Sequence, residues 1–129
     1  MLILVCGLPR AGKTTLTTTQ KLKCSVVHLD TCGFSGDPYN DVITYITHSE
    51  GDIVVEGVYN RREKRQELIS AYGDGEKICV WLDTPVEMKR NRVAWSPSCE
   101  FSFEPPTTEE GWDKVYRVTN GEFDLQCIL

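Results

Sequence analysis

The stretch "GLPRAGKT", Gly7 to Thr14, directly behind the apolar run "LILVC", restricts the fold of this chain more than any other feature. Its spacing is G-x-x-x-x-G-K-[ST], with Gly7, Gly12, Lys13 and Thr14 in the fixed places. Gly7 and Gly12 permit backbone conformations that a Cβ obstructs, so successive N–H groups can turn inward as a nest for phosphate oxygens. The candidate contacts run from Gly7 through Leu8, Pro9, Arg10, Ala11 and Gly12 to Lys13, Thr14 and Thr15. Such a loop needs a strand before it and a helix after it, because the helix start supplies further N–H donors and the positive end of the dipole. "LILVC" reads as a short strand buried on both faces, and "KTTLTTTQKLK" reads as a helix despite its threonines.

A loop of this kind points to ATP as ligand: Lys13 offers a cation to the β- and γ-phosphates, and the Thr14 hydroxyl is a ligand for Mg²⁺. Strand and helix signals alternate along the rest of the chain, which predicts an α/β fold with a mostly parallel sheet between helices. "CSVVHLD" (Cys24 to Asp30) is the second strand, and "SGDPYND" leads into a helix near Asp37 to His48. "GDIVVEG" is the third strand, "NRREKRQELISAYG" a charged helix stopped by Gly73, and "EKICVWLD" the fourth strand. "TPVEMKRNRVAW" opens a helix with Thr84 as cap and Pro85 in its first turn. A loop-like stretch, a short helix at "TTEEGW", a fifth strand at Lys114 to Val118 and a closing strand at "FDLQCIL" complete the expectation.

The 129 residues have room for one domain with one core, so residues 1–129 are expected to form a single domain. No run approaches the roughly 20 apolar residues of a membrane span, and the first strand lacks the charged start of a signal peptide. A cytoplasmic protein without membrane contact is the expectation. The six cysteines are scattered without C-x-x-C or zinc spacing, as reduced structural thiols would be. The net charge of -5 argues against a protein that coats long stretches of nucleic acid, although Arg61, Arg62, Lys64, Arg65, Lys89, Arg90 and Arg92 gather in the middle of the chain.

In parallel sheets of this class chemistry sits at the carboxyl ends of the strands, beside the phosphate loop. Asp30, Glu56 and Asp83 end the second, third and fourth strands. Glu56, in a strand expected beside the first, suits the Mg²⁺ shell. Asp30, farther along, suits a base facing the acceptor hydroxyl. For both, a helix cap or a surface ion pair is the alternative, and for Asp83 the structural role is preferred. In "KRNR", Arg92 and then Arg90 are candidates to grip phosphates with a bidentate guanidinium. Trp95, Phe101 and Phe103 are candidates either for base stacking or for packing.

The order "GLPRAGKT", "VVHLDT", "VVEGVYNRREKR", "VWLDTPVEMKRNR" and "FEPPTTEEGWDKVYRV" resembles the polynucleotide kinase branch of the P-loop kinases over nearly the whole chain. The resemblance implies a three-layer P-loop NTPase fold with a five-stranded sheet, and transfer of the γ-phosphate of ATP to a hydroxyl of DNA or RNA. It implies Asp30 as general base, Glu56 where aspartate is usual, and Arg65 and Arg92 as catalytic arginines beside Lys13. A lid around 90–104, shorter than in those kinases, and no accompanying phosphatase or ligase domain are the expectation. Compact phage kinases that phosphorylate 5-hydroxymethyluracil in DNA look similar. The expected partners are ATP and nucleic acid, DNA before RNA, with the protein as a monomer. A small-molecule kinase and a non-catalytic nucleotide-binding module are the alternatives.

Overall fold

In this computed structural model the chain runs β1 (Leu2–Cys6), α1 (Lys13–Thr19), β2 (Ser25–His28), α2 (Pro38–Thr47), β3 (Ile53–Gly57), α3 (Arg62–Tyr72), β4 (Lys77–Leu82) and β5 (Lys114–Val118). A short 3-10 turn precedes β5 at Thr108–Glu110, and another follows it at Leu125–Cys127. The structure describes residues 1–8, 13–20, 22–29, 37–83, 103–120 and 122–129. Pro9, Arg10, Ala11, Gly12, Asp30, Arg90, Arg92, Trp95 and Phe101 lie outside the described residues, as do the helix expected from Thr84 and all but the end of the lid.

The strands form one five-stranded sheet in the order β2-β3-β1-β4-β5, and every neighbouring pair is parallel. β1 is central and wholly buried, which explains its unbroken apolar run. Alternate residues then sort to the two faces. Leu2, Leu4, Cys6, Ile53, Val55 and Cys79 join the cluster under α2 and α3, whereas Ile3, Val5, Val54, Ile78, Val80 and Leu82 join the cluster that holds Leu16 of α1. Helices therefore cover both faces, and the three layers expected from the alternation of elements are present.

Local chemistry sets the ends of the helices. Asp37 caps α2 by accepting from the Asn40 amide, with Pro38 in the first turn. α3 stops at Gly73, whose φ of +78° with ψ of −134° is a backbone conformation open to glycine and strained for other residues. α1 ends at Thr19, earlier than the sequence pattern predicts. The Thr17 and Thr18 hydroxyls bond back to carbonyls of the first turn, a habit that weakens helices. Gln20 then turns away to bond the Phe123 carbonyl and the Leu125 amide, at 2.6 and 2.8 Å.

This clasp also accounts for a correction. "FDLQCIL" adds no strand; it forms a 3-10 turn with Leu125 fully buried beneath the α1 face. The Asp124 carboxylate accepts from the Gln126 amide and holds the segment in a turn, so its apolar residues reach the core without extending.

The expectation that Cys6 and Cys79 are structural thiols fits the packing. They lie buried on neighbouring strands with their sulfurs 3.5 Å apart, and burial pushes the Cys79 thiol well up from its ordinary value, away from the reactive thiolate.

Candidate active site

Residues of the phosphate-loop pattern converge at the carboxyl edge of the sheet. β1 runs into Gly7, whose amide bonds the Val58 carbonyl at 3.3 Å, so the start of the loop is tied to the end of β3. Lys13 opens α1 and is buried, with its ammonium donating to the Leu8 carbonyl at 2.9 Å. The cation is thus held over the entrance of the loop rather than out in solvent. Thr14 and Thr15 follow on an exposed part of the same turn.

Glu56 stands one strand away. It lies level with Val5 in β1, and the pleat turns it to the α1 side of the sheet along with Val54. Its side chain is only 3 % exposed, so its carboxylate depends on protein partners. Oε1 accepts a long contact from the Thr14 hydroxyl, 3.4 Å, and Oε2 lies 2.7 Å from His28 Nδ1. The hydroxyl and the carboxylate are a hard-oxygen pair that suits Mg²⁺, an ion that takes one or two protein ligands together with phosphates and water. Among the described residues no group of three or more His, Cys, Asp or Glu side chains could hold a metal unaided.

His28 is the residue that the sequence pattern did not bring forward. It ends β2 level with Glu56 in β3, on the same face of adjacent strands. The signal was present as two parallel phrases, "VVH" and "VVE", but only the strand order reveals that they lie side by side.

The end of β3 is closely packed. A Cβ at Gly57 would lie 2.7 Å from the Leu29 Cβ, so the turn after β2 approaches the backbone of β3 directly. Gly57→Ala is expected to destabilise the fold by about 1–3 kcal/mol, since either strand must shift to admit the methyl group. A urea midpoint equal to that of the parent would show that Leu29 yields freely.

Arg65 has a different place from the one expected of a catalytic arginine. Its side chain is fully buried on α3 and held as a fork: Nε and an Nη donate to the two Glu110 oxygens at 2.8 and 3.1 Å, and the other Nη donates to the Tyr59 carbonyl at 2.7 Å. Trp112 donates its indole N–H to the same carboxylate at 2.9 Å. A guanidinium so engaged would have to abandon a buried partner to reach a phosphate, and the contacts it makes here are those of an anchor. What it anchors is the "FEPPTTEEGW" segment: the Glu104 amide bonds the Asn60 carbonyl, Glu104 accepts from the Arg62 amide, and Arg62 reaches Thr107.

Phe103 stacks on Trp81 with ring centroids 5.9 Å apart, in favour of packing over base stacking. Asp83 pairs with Arg117 of β5 at 2.6 Å, an exposed structural role in keeping with the preferred reading.

No protein-family model matches the chain, and no curated protein matches it. Among solved structures it is similar to an unliganded sugar kinase of Janibacter sp. HTCC2649, at 14 % identity with a TM-score of 0.65, over 90 % of this chain and 84 % of that one. The strand order and this likeness together give the chain a three-layer α/β fold of the kinase-like type.

Proposed function

We propose that the protein is an ATP-dependent kinase that transfers the γ-phosphate to a hydroxyl group. The observation that carries the reading is the junction of Lys13, Thr14 and Glu56 at the carboxyl edge, behind a glycine-bounded loop of the right length. In the transfer an acceptor oxygen forms a bond to the γ-phosphorus as the bond to the bridging oxygen of ADP breaks. Lys13 offsets the charge that grows on the phosphates, and Arg92 is proposed to add a bidentate contact. Asp30 is proposed to take the proton of the acceptor hydroxyl. Thr14 and Glu56 would hold Mg²⁺, which when bound offsets negative charge on the phosphates.

Nucleic acid, DNA before RNA, is the acceptor that the resemblance of "FEPPTTEEGW" and "VVHLDT" supports. A small-molecule acceptor is the second reading, supported by the likeness to a sugar kinase.

Labelled-ATP transfer across 5′-OH DNA, 5′-OH RNA, hydroxymethyluracil DNA, nucleosides and sugars tests both readings. Transfer to a polymer supports the first and transfer to a small hydroxyl compound the second. ATP binding without transfer to any of them supports a nucleotide-binding module. Asp30→Asn is expected to lower transfer by about a hundredfold with ATP affinity nearly unchanged, because the amide keeps the size but takes no proton. Loss of ATP binding in that variant would move Asp30 into the nucleotide site.

A further inference from the structure

We propose that His28 is a positioning residue: its Nδ1–H holds one oxygen of Glu56 so that the other faces the Thr14 hydroxyl, fixing the orientation in which Glu56 serves a Mg²⁺–nucleotide complex. The proposal rests on the reading of Thr14 and Glu56 as the metal side of a kinase site. Three observations carry it. The two residues are register partners on neighbouring parallel strands, so the backbone sets their separation before the side chains meet. The contacts of the carboxylate are unequal, 2.7 Å to His28 Nδ1 on Oε2 and 3.4 Å to Thr14 on Oε1. Finally, the burial is unequal: the Glu56 side chain is 3 % exposed and that of His28 is 28 % exposed.

A carboxylate as deeply buried as Glu56 is turned by whichever donor holds it most tightly, and here that donor is the imidazole. An ionised carboxylate only accepts hydrogen bonds, so the contact requires the proton on Nδ1. With Oε2 taken in this way, Oε1 is the atom left toward the phosphate loop. Carboxylates that serve metals commonly depend on such a partner, and loss of the partner costs about 10–100-fold in metal affinity or activity. Threonine alone is a weak guide for the group, since its hydroxyl is a neutral donor at a long distance.

Two measurements test the assignment. In ¹⁵N-labelled protein without metal, long-range ¹H–¹⁵N spectra are expected to show His28 protonated at Nδ1; a neutral ring protonated only at Nε2 would overturn the proposal. Electron paramagnetic resonance then follows Mn²⁺ binding in the presence of ADP for the parent, Glu56→Gln, His28→Ala and His28→Asn. His28→Ala is expected to weaken Mn²⁺ binding about 10–100-fold, whereas His28→Asn, whose amide N–H stands near the place of Nδ1–H, should recover most of the loss. Should Glu56→Gln weaken binding while His28→Ala does not, the positioning role is overturned and the site stands. If Glu56→Gln also leaves binding intact, the reading of Glu56 itself falls, and this proposal with it. The spectrum of the unaltered protein decides the matter even if His28→Ala does not fold.

Discussion

Lys13→Ala is expected to lower phosphoryl transfer about a hundredfold to a thousandfold, the cost of removing one preorganised group aimed at developing charge. Lys13 is buried at the start of α1 with its ammonium already tethered to the Leu8 carbonyl, so its side chain needs little reorganisation to meet a phosphate. A methyl group in its place leaves the fold's apolar clusters intact, since neither includes Lys13. The expected pattern is therefore a parent-like melting curve with a collapsed rate. Single-turnover transfer from labelled ATP, with stability followed by circular dichroism, measures both. Parent-like transfer by Lys13→Ala would remove the loop from the mechanism.

Disrupting the Arg65–Glu110 pair should have the largest effect on stability. Glu110→Ala leaves a guanidinium fully buried without its counter-charge, a loss of about 3–5 kcal/mol. Against a total stability of about 5–15 kcal/mol for a domain, that is a major fraction. Arg65→Ala should fall near the lower end of the range, because Arg62 remains 3.3 Å from the same carboxylate, although half in solvent. Replacing both partners together, Arg65→Met with Glu110→Leu, should restore much of the loss, as apolar substitutes often match a buried ion pair. Urea unfolding of the single and double variants measures the coupling. A catalytic Arg65 would give the opposite pattern, with full stability and a reduced kcat.

The contrast between these two residues shows how much of the molecule was legible in the sequence. Lys13 is assigned by residues within one turn of it, and the strands β1, β3, β4 and β5 announce themselves as short apolar runs between turn signals. Such local patterns suffice for element order and for the parallel sheet. Arg65 lies in a run of like-charged neighbours and resembles any solvated helix face; its partner is 45 residues away, and only tertiary packing brings them together. His28 was overlooked for a related reason, because its meaning depends on β2 lying beside β3 in register. The C-terminal segment was misread because its apolar residues carry no sign of whether they reach the core as a strand or as a capped turn. The grip of Gln20, more than 100 residues earlier, determines that outcome.

The central place of β1 has a consequence for the order in which the molecule is assembled. It precedes both of its neighbours in the chain, so its edges are satisfied only by later residues: Ile53–Gly57 on one side and Lys77–Leu82 on the other. Until Leu82 has emerged, a wholly apolar strand keeps at least one open edge, a state prone to pairing with the wrong chain. Loop closures of this length slow folding, because ordering a long stretch of backbone precedes the contacts that reward it. The entrance of the phosphate loop, whose Gly7 amide takes its partner from Val58, is accordingly shaped by residues synthesised long after it. Nucleotide added during synthesis should therefore protect nascent chains that expose residues through Leu82, and leave shorter ones as protease-sensitive as before.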